Sequence, residues 1–254
     1  MGRAVICVHG AFCGGWAFEA FRAPLEAAGR EVRAPNLPHH QPGADLDALA
    51  REGVRDYARA LAAYMSRFDE PPVLMGHSMG GLVAQIAATM APTAGLVLLA
   101  PSSPWGVAPT GPEEAAAAVA LFALGDFWNR PVAPVFGPAR DYSLDRMSRA
   151  EQSATFARFV PESGRAAFET LNWPLDPTMA ASAPANRIDC PVLCIAGEGD
   201  RLNPPASVAA IASRFPRRQA TMVTMKGMSH WLVGEPGWEA VADTALDWLE
   251  SRGL

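Results

Sequence analysis

The sequence predicts an α/β protein whose mostly parallel sheet, of about six strands, is covered by helices on both faces. Two observations predict this, and a third shapes it. Six strand-length runs are apolar almost throughout, as strands buried on both faces must be. Helical patterns separate those runs in alternation. The alternation then fails once, between the fourth and fifth runs, where a long segment shows helical patterns, prolines and aromatics but no strand signal.

The elements follow in order. The first strand is Ala4–Val8, and a helix near Trp16–Ala28 leads to the second strand at Glu31–Ala34. A helical pattern over Leu46–Phe68 precedes the third strand, Pro72–Met75. Leu82, Val83, Ile86, Ala87 and Met90 then mark a helix over Gly80–Met90, before the fourth strand at Gly95–Ala100. Cys190–Ala196 and Ala220–Met225 complete the strands, with helices near Ala206–Ser213 and Trp238–Arg252. Residues 104–183 are expected to form an all-helical cap inserted into a core made of 1–103 and 184–254. Such a cap would lie over the carboxyl ends of the strands, where open parallel sheets bind ligands.

Composition narrows the partners. The 254 residues are 50% hydrophobic and 19% charged, an ordinary globular balance. A net charge of −5 offers no basic footprint, which argues against nucleic acid or an anionic membrane surface. The four cysteines lack the spacing and the neighbouring histidine of a zinc site, so neither a metal nor a cofactor is expected. Three of them, Cys7, Cys190 and Cys194, fall in strand-like runs as buried free thiols would, suggesting a reducing cytosol. No signal peptide precedes the first strand, and the apolar stretch Ala115–Leu124 is too short to span a bilayer. The expectation is a cytoplasmic protein acting on a small molecule, with room left for a homodimer.

The chemistry centres on "VLMGHSMGG", residues 73–81. Ser78 joins a strand to a helix within a few residues, in a backbone strained enough to need glycine at Gly76 and Gly80. A serine hydroxyl is a weak nucleophile until a neighbouring base activates it. Of the five histidines, His9 ends the first strand, His77 adjoins the serine and points elsewhere, and His39 and His40 sit in a loop expected to be solvated. His230, in "GMSHWL" after the last strand, opens on the same sheet edge as Ser78 and is the expected general base. An acid must fix its tautomer. Asp200, in "GEGDRLNPP", is favoured over its competitor Glu198, whose longer side chain starts one step nearer the strand. The backbone amides of Met79, at a helix start, and Ala11, directly after His9-Gly10, would receive the oxyanion. Phe12, Trp105 and Trp231 are candidate wall residues, although Trp231 could equally pack under the last helix. Cys13 lies close enough to the oxyanion loop for thiol reagents to block access.

Taken together, "GHSMGG", "GEGDRLNPP" and "GMSHW" resemble an α/β-hydrolase over essentially the whole chain. The opening "VHGAFCGGWAFEAFRAPLEAAGREVRAPNLP" is most similar to the methylesterase and hydroxynitrile-lyase branch and its bacterial relatives. That resemblance assigns the oxyanion amides to Ala11 and Met79. Hydroxynitrile lyases of the branch carry threonine and lysine where this chain has Gly10 and Trp231, which favours hydrolysis over cyanohydrin cleavage. Many members of the family open with an antiparallel hairpin, whereas this sequence reads directly onto the His9-Gly10 strand, so about six strands are expected in place of eight. The implied activity is a serine esterase working through an acyl-enzyme on Ser78. The same residues would also serve a lactone, a thioester, a C–C bond or perhydrolysis, and a receptor that has kept the residues is the reading outside catalysis. A serine at position 78 excludes the aspartate nucleophile of epoxide and haloalkane hydrolases.

Overall fold

A computed structural model describes residues 2–254. Its main sheet has six strands: β1 (Val5–Val8), β2 (Val32–Arg33), β3 (Val73–His77), β4 (Gly95–Leu99), β7 (Val192–Gly197) and β8 (Ala220–Met225). They pair in the order β2-β1-β3-β4-β7-β8, and every pairing is parallel. The sequence reading therefore gives the strands in number and place, with ends that move by at most two residues. β3 runs two residues further than its apolar run suggests, because its last pair, His77↔Leu99, continues the ladder up to the serine.

Helices cover both faces, as near-continuous apolar strands require. Ile6, Val8, Leu74, Leu96, Leu98, Val192 and Cys194 face one core. It is closed by α3 (Val54–Met65), α4 (Met79–Ala88) and α9 (Pro205–Ser213). The alternate residues Val5, Cys7, Val73, Met75, Val97, Leu99, Leu193 and Ile195 face the other. There α1 (Glu19–Ala27) and α10 (Trp238–Ser251) pack across the sheet. No helix among the described residues is long and apolar enough to cross a membrane.

Two expectations are corrected. The helix expected over Leu46–Phe68 is two helices, α2 (Leu46–Arg51) and α3, broken at Glu52-Gly53. The break lets α3 start afresh, with Gly53 N–H donating to Asp56 (3.0 Å) and Val54 N–H donating to Glu169 (2.8 Å). The segment between β4 and β7 is not wholly helical. It holds α5 (Pro112–Ala120), the single turn α6 (Phe136–Pro138), α7 (Arg149–Phe156) and α8 (Gly164–Leu171). Within it β5 (Pro131–Val132) also pairs antiparallel with β6 (Glu162–Ser163), a ribbon two residues long and too short for any periodic signal.

Candidate active site

Ser78 sits between β3 and α4 at φ 53°, ψ −124°, a left-handed conformation that costs a non-glycine residue of order 1–3 kcal/mol. The turn closes because its neighbours have no side chains. A Cβ at Gly76 would run into the Gly80 carbonyl, and one at Gly80 would run into the Val8 carbonyl. Ser78 N–H donates to Leu99 O (3.0 Å), while Ser78 O accepts from Gly81 N (2.9 Å) and Ser102 N (2.9 Å). The strained turn is thus held on β4 as well as on its own helix.

Two further strand ends complete the arrangement. His230, in the loop after β8, lies with Nε2 3.1 Å from Ser78 Oγ. Its Nδ1 donates to Asp200 Oδ2 at 2.9 Å, in the loop after β7. The other carboxylate oxygen, Oδ1, accepts from Leu202 N (2.8 Å) and Asn203 N (2.9 Å), so Asp200 is fixed at both ends. Gly197 permits this approach of the two loops, since a Cβ there would collide with the Ser229 carbonyl. Glu198, the competing acid, instead accepts from Gly227 N (3.0 Å) on the outside of the loop.

The electrostatics agree with the geometry. Burial opposes charge on His230, but the Asp200 carboxylate, by charge and hydrogen bond, outweighs it and raises the imidazole above its ordinary 6.5. Burial likewise opposes the Asp200 carboxylate, and His230 with the two loop amides outweighs it and lowers the acid. His77 lies under His230, with ring centroids 5.1 Å apart, and its Nε2–H donates to the His230 carbonyl at 2.8 Å. Burial first, then the facing His230, holds His77 down at about 3, so it stays a neutral donor.

Of the two expected oxyanion amides, Met79 N–H opens α4, where a helix leaves its first donors free. Among the described residues no acceptor pairs with the Ala11 N–H. His9 shapes that loop. Its Nε2 accepts from Leu37 N (2.9 Å), so Nδ1 carries the proton and donates to Gly10 O (2.8 Å). Phe12 follows at φ 64°, half-buried.

The remaining candidates divide. Trp105 is exposed and lies edge-on to Trp173, with centroids 5.4 Å apart. Trp231 is buried against Trp16, Phe159 and His77. His40 is corrected: it is buried, not solvated, and its Nε2 lies 3.0 Å from the Glu162 carboxylate. His39, half-exposed, lies 3.8 Å from Glu52. Cys13 is also corrected. It is buried, and burial first and Glu162 second push its thiol far above the ordinary range, so reagents find neither access nor thiolate. Sequence reasoning missed Glu162 and Tyr57 altogether. A cleft of about 660 Å³ opens at the opposite end of the strands, among Arg3, Thr89, Arg187 and Leu254, away from these groups.

A serine on a strained strand-to-helix turn, backed by histidine and acid from later strand ends in that order, defines the α/β-hydrolase class of site. Comparison with known proteins agrees: the sequence profile of the alpha/beta hydrolase family matches residues 5–244, and the chain belongs to that family. It is similar to a pyrethroid hydrolase of Sphingobium wenxiniae, 38% identical over 77 residues, or 30% of this chain and 27% of that one. It is also similar to methylesterase 7 of Arabidopsis thaliana, 33% identical over 95 residues, 36% of each chain. The matched stretches thus cover about a third of these curated relatives. The crystal structure of a pyrethroid hydrolase from Sphingobium faniae JZ-2 shares the fold, with a TM-score of 0.70 at 24% identity over 98% of each chain.

Proposed function

We propose that this hydrolase cleaves a small or medium, largely apolar carboxylic ester through an acyl-enzyme on Ser78. The observation that carries the reading is the hydrogen-bonded chain from Ser78 Oγ to His230 (3.1 Å) and on to Asp200 (2.9 Å), beside two amides with no acceptor among the described residues. The methylesterase and the pyrethroid hydrolase among its relatives support an ester as substrate.

Ser78 Oγ attacks the ester carbonyl as His230 Nε2 takes the hydroxyl proton. The carbonyl π pair moves onto oxygen, and the amides of Ala11 and Met79 receive it. Asp200 holds the imidazole in the required tautomer and stabilises the imidazolium. The intermediate collapses, the ester C–O bond breaks, and His230 returns the proton to the departing alcohol. A water deprotonated by His230 then attacks the acyl-enzyme and releases the acid. Each oxyanion donor is worth ~3 kcal/mol of barrier. The segment 104–183 acts as the cap that sets the acyl and alcohol groups accepted, with Phe12 and Trp105 at its margin.

Intact mass after treatment with a fluorophosphonate tests the reading. One adduct on the wild type and none on Ser78→Ala is expected, together with a ~10⁶-fold loss of turnover of p-nitrophenyl acetate. A wild type that takes no adduct sinks the reading and leaves the small-molecule receptor. Ester, lactone and thioester panels then rank the substrates.

A further inference from the structure

Glu162 belongs to the segment inserted between β4 and β7, yet its carboxylate ends beside the loop after β1. It is completely buried. Oε2 accepts from the Phe12 amide (3.2 Å) and from His40 Nε2 (3.0 Å). Oε1 accepts from the Tyr57 hydroxyl (2.8 Å) and the Ser163 amide (2.8 Å). The second ring nitrogen of His40 faces Pro38 O at 2.8 Å, so both nitrogens are donors and His40 is an imidazolium. A buried ion pair therefore terminates on the amide of Phe12.

That amide adjoins the Ala11 residue expected to bind the oxyanion. Phe12 sits at φ 64°, an uncommon conformation for a bulky residue that persists only where its surroundings impose it. The surroundings are residues 160–162: Glu162 takes the Phe12 N–H, and Val160 N–H donates to Phe12 O at 2.8 Å. On the other side of Ala11, His9 Nδ1–H holds the Gly10 carbonyl at 2.8 Å. A trans peptide then turns the Ala11 N–H the opposite way. Ala11 is anchored on both flanks, once by the neutral His9 and once by the charged Glu162.

We propose that Glu162 is a positioning residue for the oxyanion loop, acting through the Phe12 peptide on the Ala11 amide. The assignment rests on the acyl-enzyme reading above. A carboxylate is the group this place needs, since each of its oxygens receives two donors. An amide in its stead would turn N–H against N–H at either end, leaving the Phe12 or the Ser163 amide without an acceptor. The inserted segment consequently sets the geometry of the reacting edge as well as covering it.

The test compares wild type with Glu162→Gln on p-nitrophenyl acetate, and measures inhibition by trifluoroacetone. In that inhibitor's adduct the Ser78 Oγ–carbon bond forms, the carbonyl π pair becomes an oxyanion, and the hydroxyl proton moves to His230. Acylation and deacylation both pass through an oxyanion, so kcat should fall ~10–10²-fold with KM within about twofold. The trifluoroacetone Ki should rise by a similar factor, which a strut that merely joins the insertion to the core would not produce. A folded variant with wild-type kcat, or a loss confined to KM, overturns the proposal. If Glu162→Gln does not fold, Glu162→Asp carries the same test, because it keeps the charge but draws the carboxylate back from Phe12. Prior fluorophosphonate labelling separates the two failures. An unlabelled wild type sinks the serine reading, whereas a labelled, active wild type with unaffected variants sinks only the role of Glu162.

Discussion

The molecule contains two buried histidine–carboxylate pairs of nearly equal length, His230–Asp200 at 2.9 Å and His40–Glu162 at 3.0 Å. Burial opposes both imidazolium ions, and the partner carboxylate overcomes it in both, so each histidine is raised and each acid lowered. What differs is the second nitrogen. In His230 it meets the Ser78 hydroxyl at 3.1 Å, a group that can give up a proton. In His40 it meets the Pro38 carbonyl at 2.8 Å, which has none to give. The same pair is thus placed to pass on a proton where its far side meets a hydroxyl, and to hold a fixed charge where it meets a carbonyl.

Amide substitution of each acid breaks the comparison most sharply. Asp200→Asn leaves the shape of the site but offers His230 Nδ1 a donor, favouring the wrong tautomer, and kcat should fall ~10⁴-fold. Glu162→Gln should cost ~10–10²-fold. Steady-state kinetics on p-nitrophenyl acetate reads both. Equal losses would mean that the two pairs do not differ in kind.

Stability should rank the other way when the imidazole of the fixed pair is removed. His40→Leu leaves the Glu162 carboxylate buried without its cation, and both side chains are fully enclosed, with 0% exposure on each. Breaking such a pair costs ~3–5 kcal/mol, read as a lower urea midpoint at unchanged slope. A loss under ~1 kcal/mol would show that water reaches the carboxylate.

The grouping of Ser78, His230 and Asp200 is legible in the sequence and the fixed pair is not, for a physical reason. Ser78 announces itself locally, since a serine fenced by Gly76 and Gly80 between a strand and a helix has one explanation in backbone strain. With five histidines and known strand ends, elimination then reaches His230. Glu162 gives no local sign. It lies 122 residues from His40 and 150 from Phe12, in a ribbon two residues long. Only tertiary packing joins those positions. The helix break at Gly53 does have a local sign, because a glycine inside a helical pattern weakens it. The burial of His40 is hidden for a related reason: a histidine in a polar loop looks solvated until something from elsewhere in the chain, here Glu162, covers it.

Raising the pH should separate the two pairs by sign. His230 must be neutral to take the Ser78 proton, and its pKa lies above the ordinary 6.5. The acid limb of kcat/KM should therefore have its midpoint above pH 6.5, with activity rising as that proton leaves. His40 contributes to stability in the opposite sense. Its folded pKa is raised from 6.5, so its contribution is complete below pH 6.5 and is lost as pH rises through the folded value. Glu162, lowered from 4.5, contributes fully above pH 4.5 and loses its share as pH falls through its folded value. The melting-temperature advantage of wild type over His40→Leu should accordingly be greatest between pH 4.5 and 6.5 and shrink on the alkaline side, where activity climbs. This difference cancels the groups remote from the pair, and the neighbouring His9 ring, 5.0 Å away and held down at about 3 by burial first and the His40 charge second, is neutral in the wild type across this window. An advantage that instead grew with pH would mean that His40 is neutral in the fold, and that Glu162 is held by Tyr57 and the two amides alone.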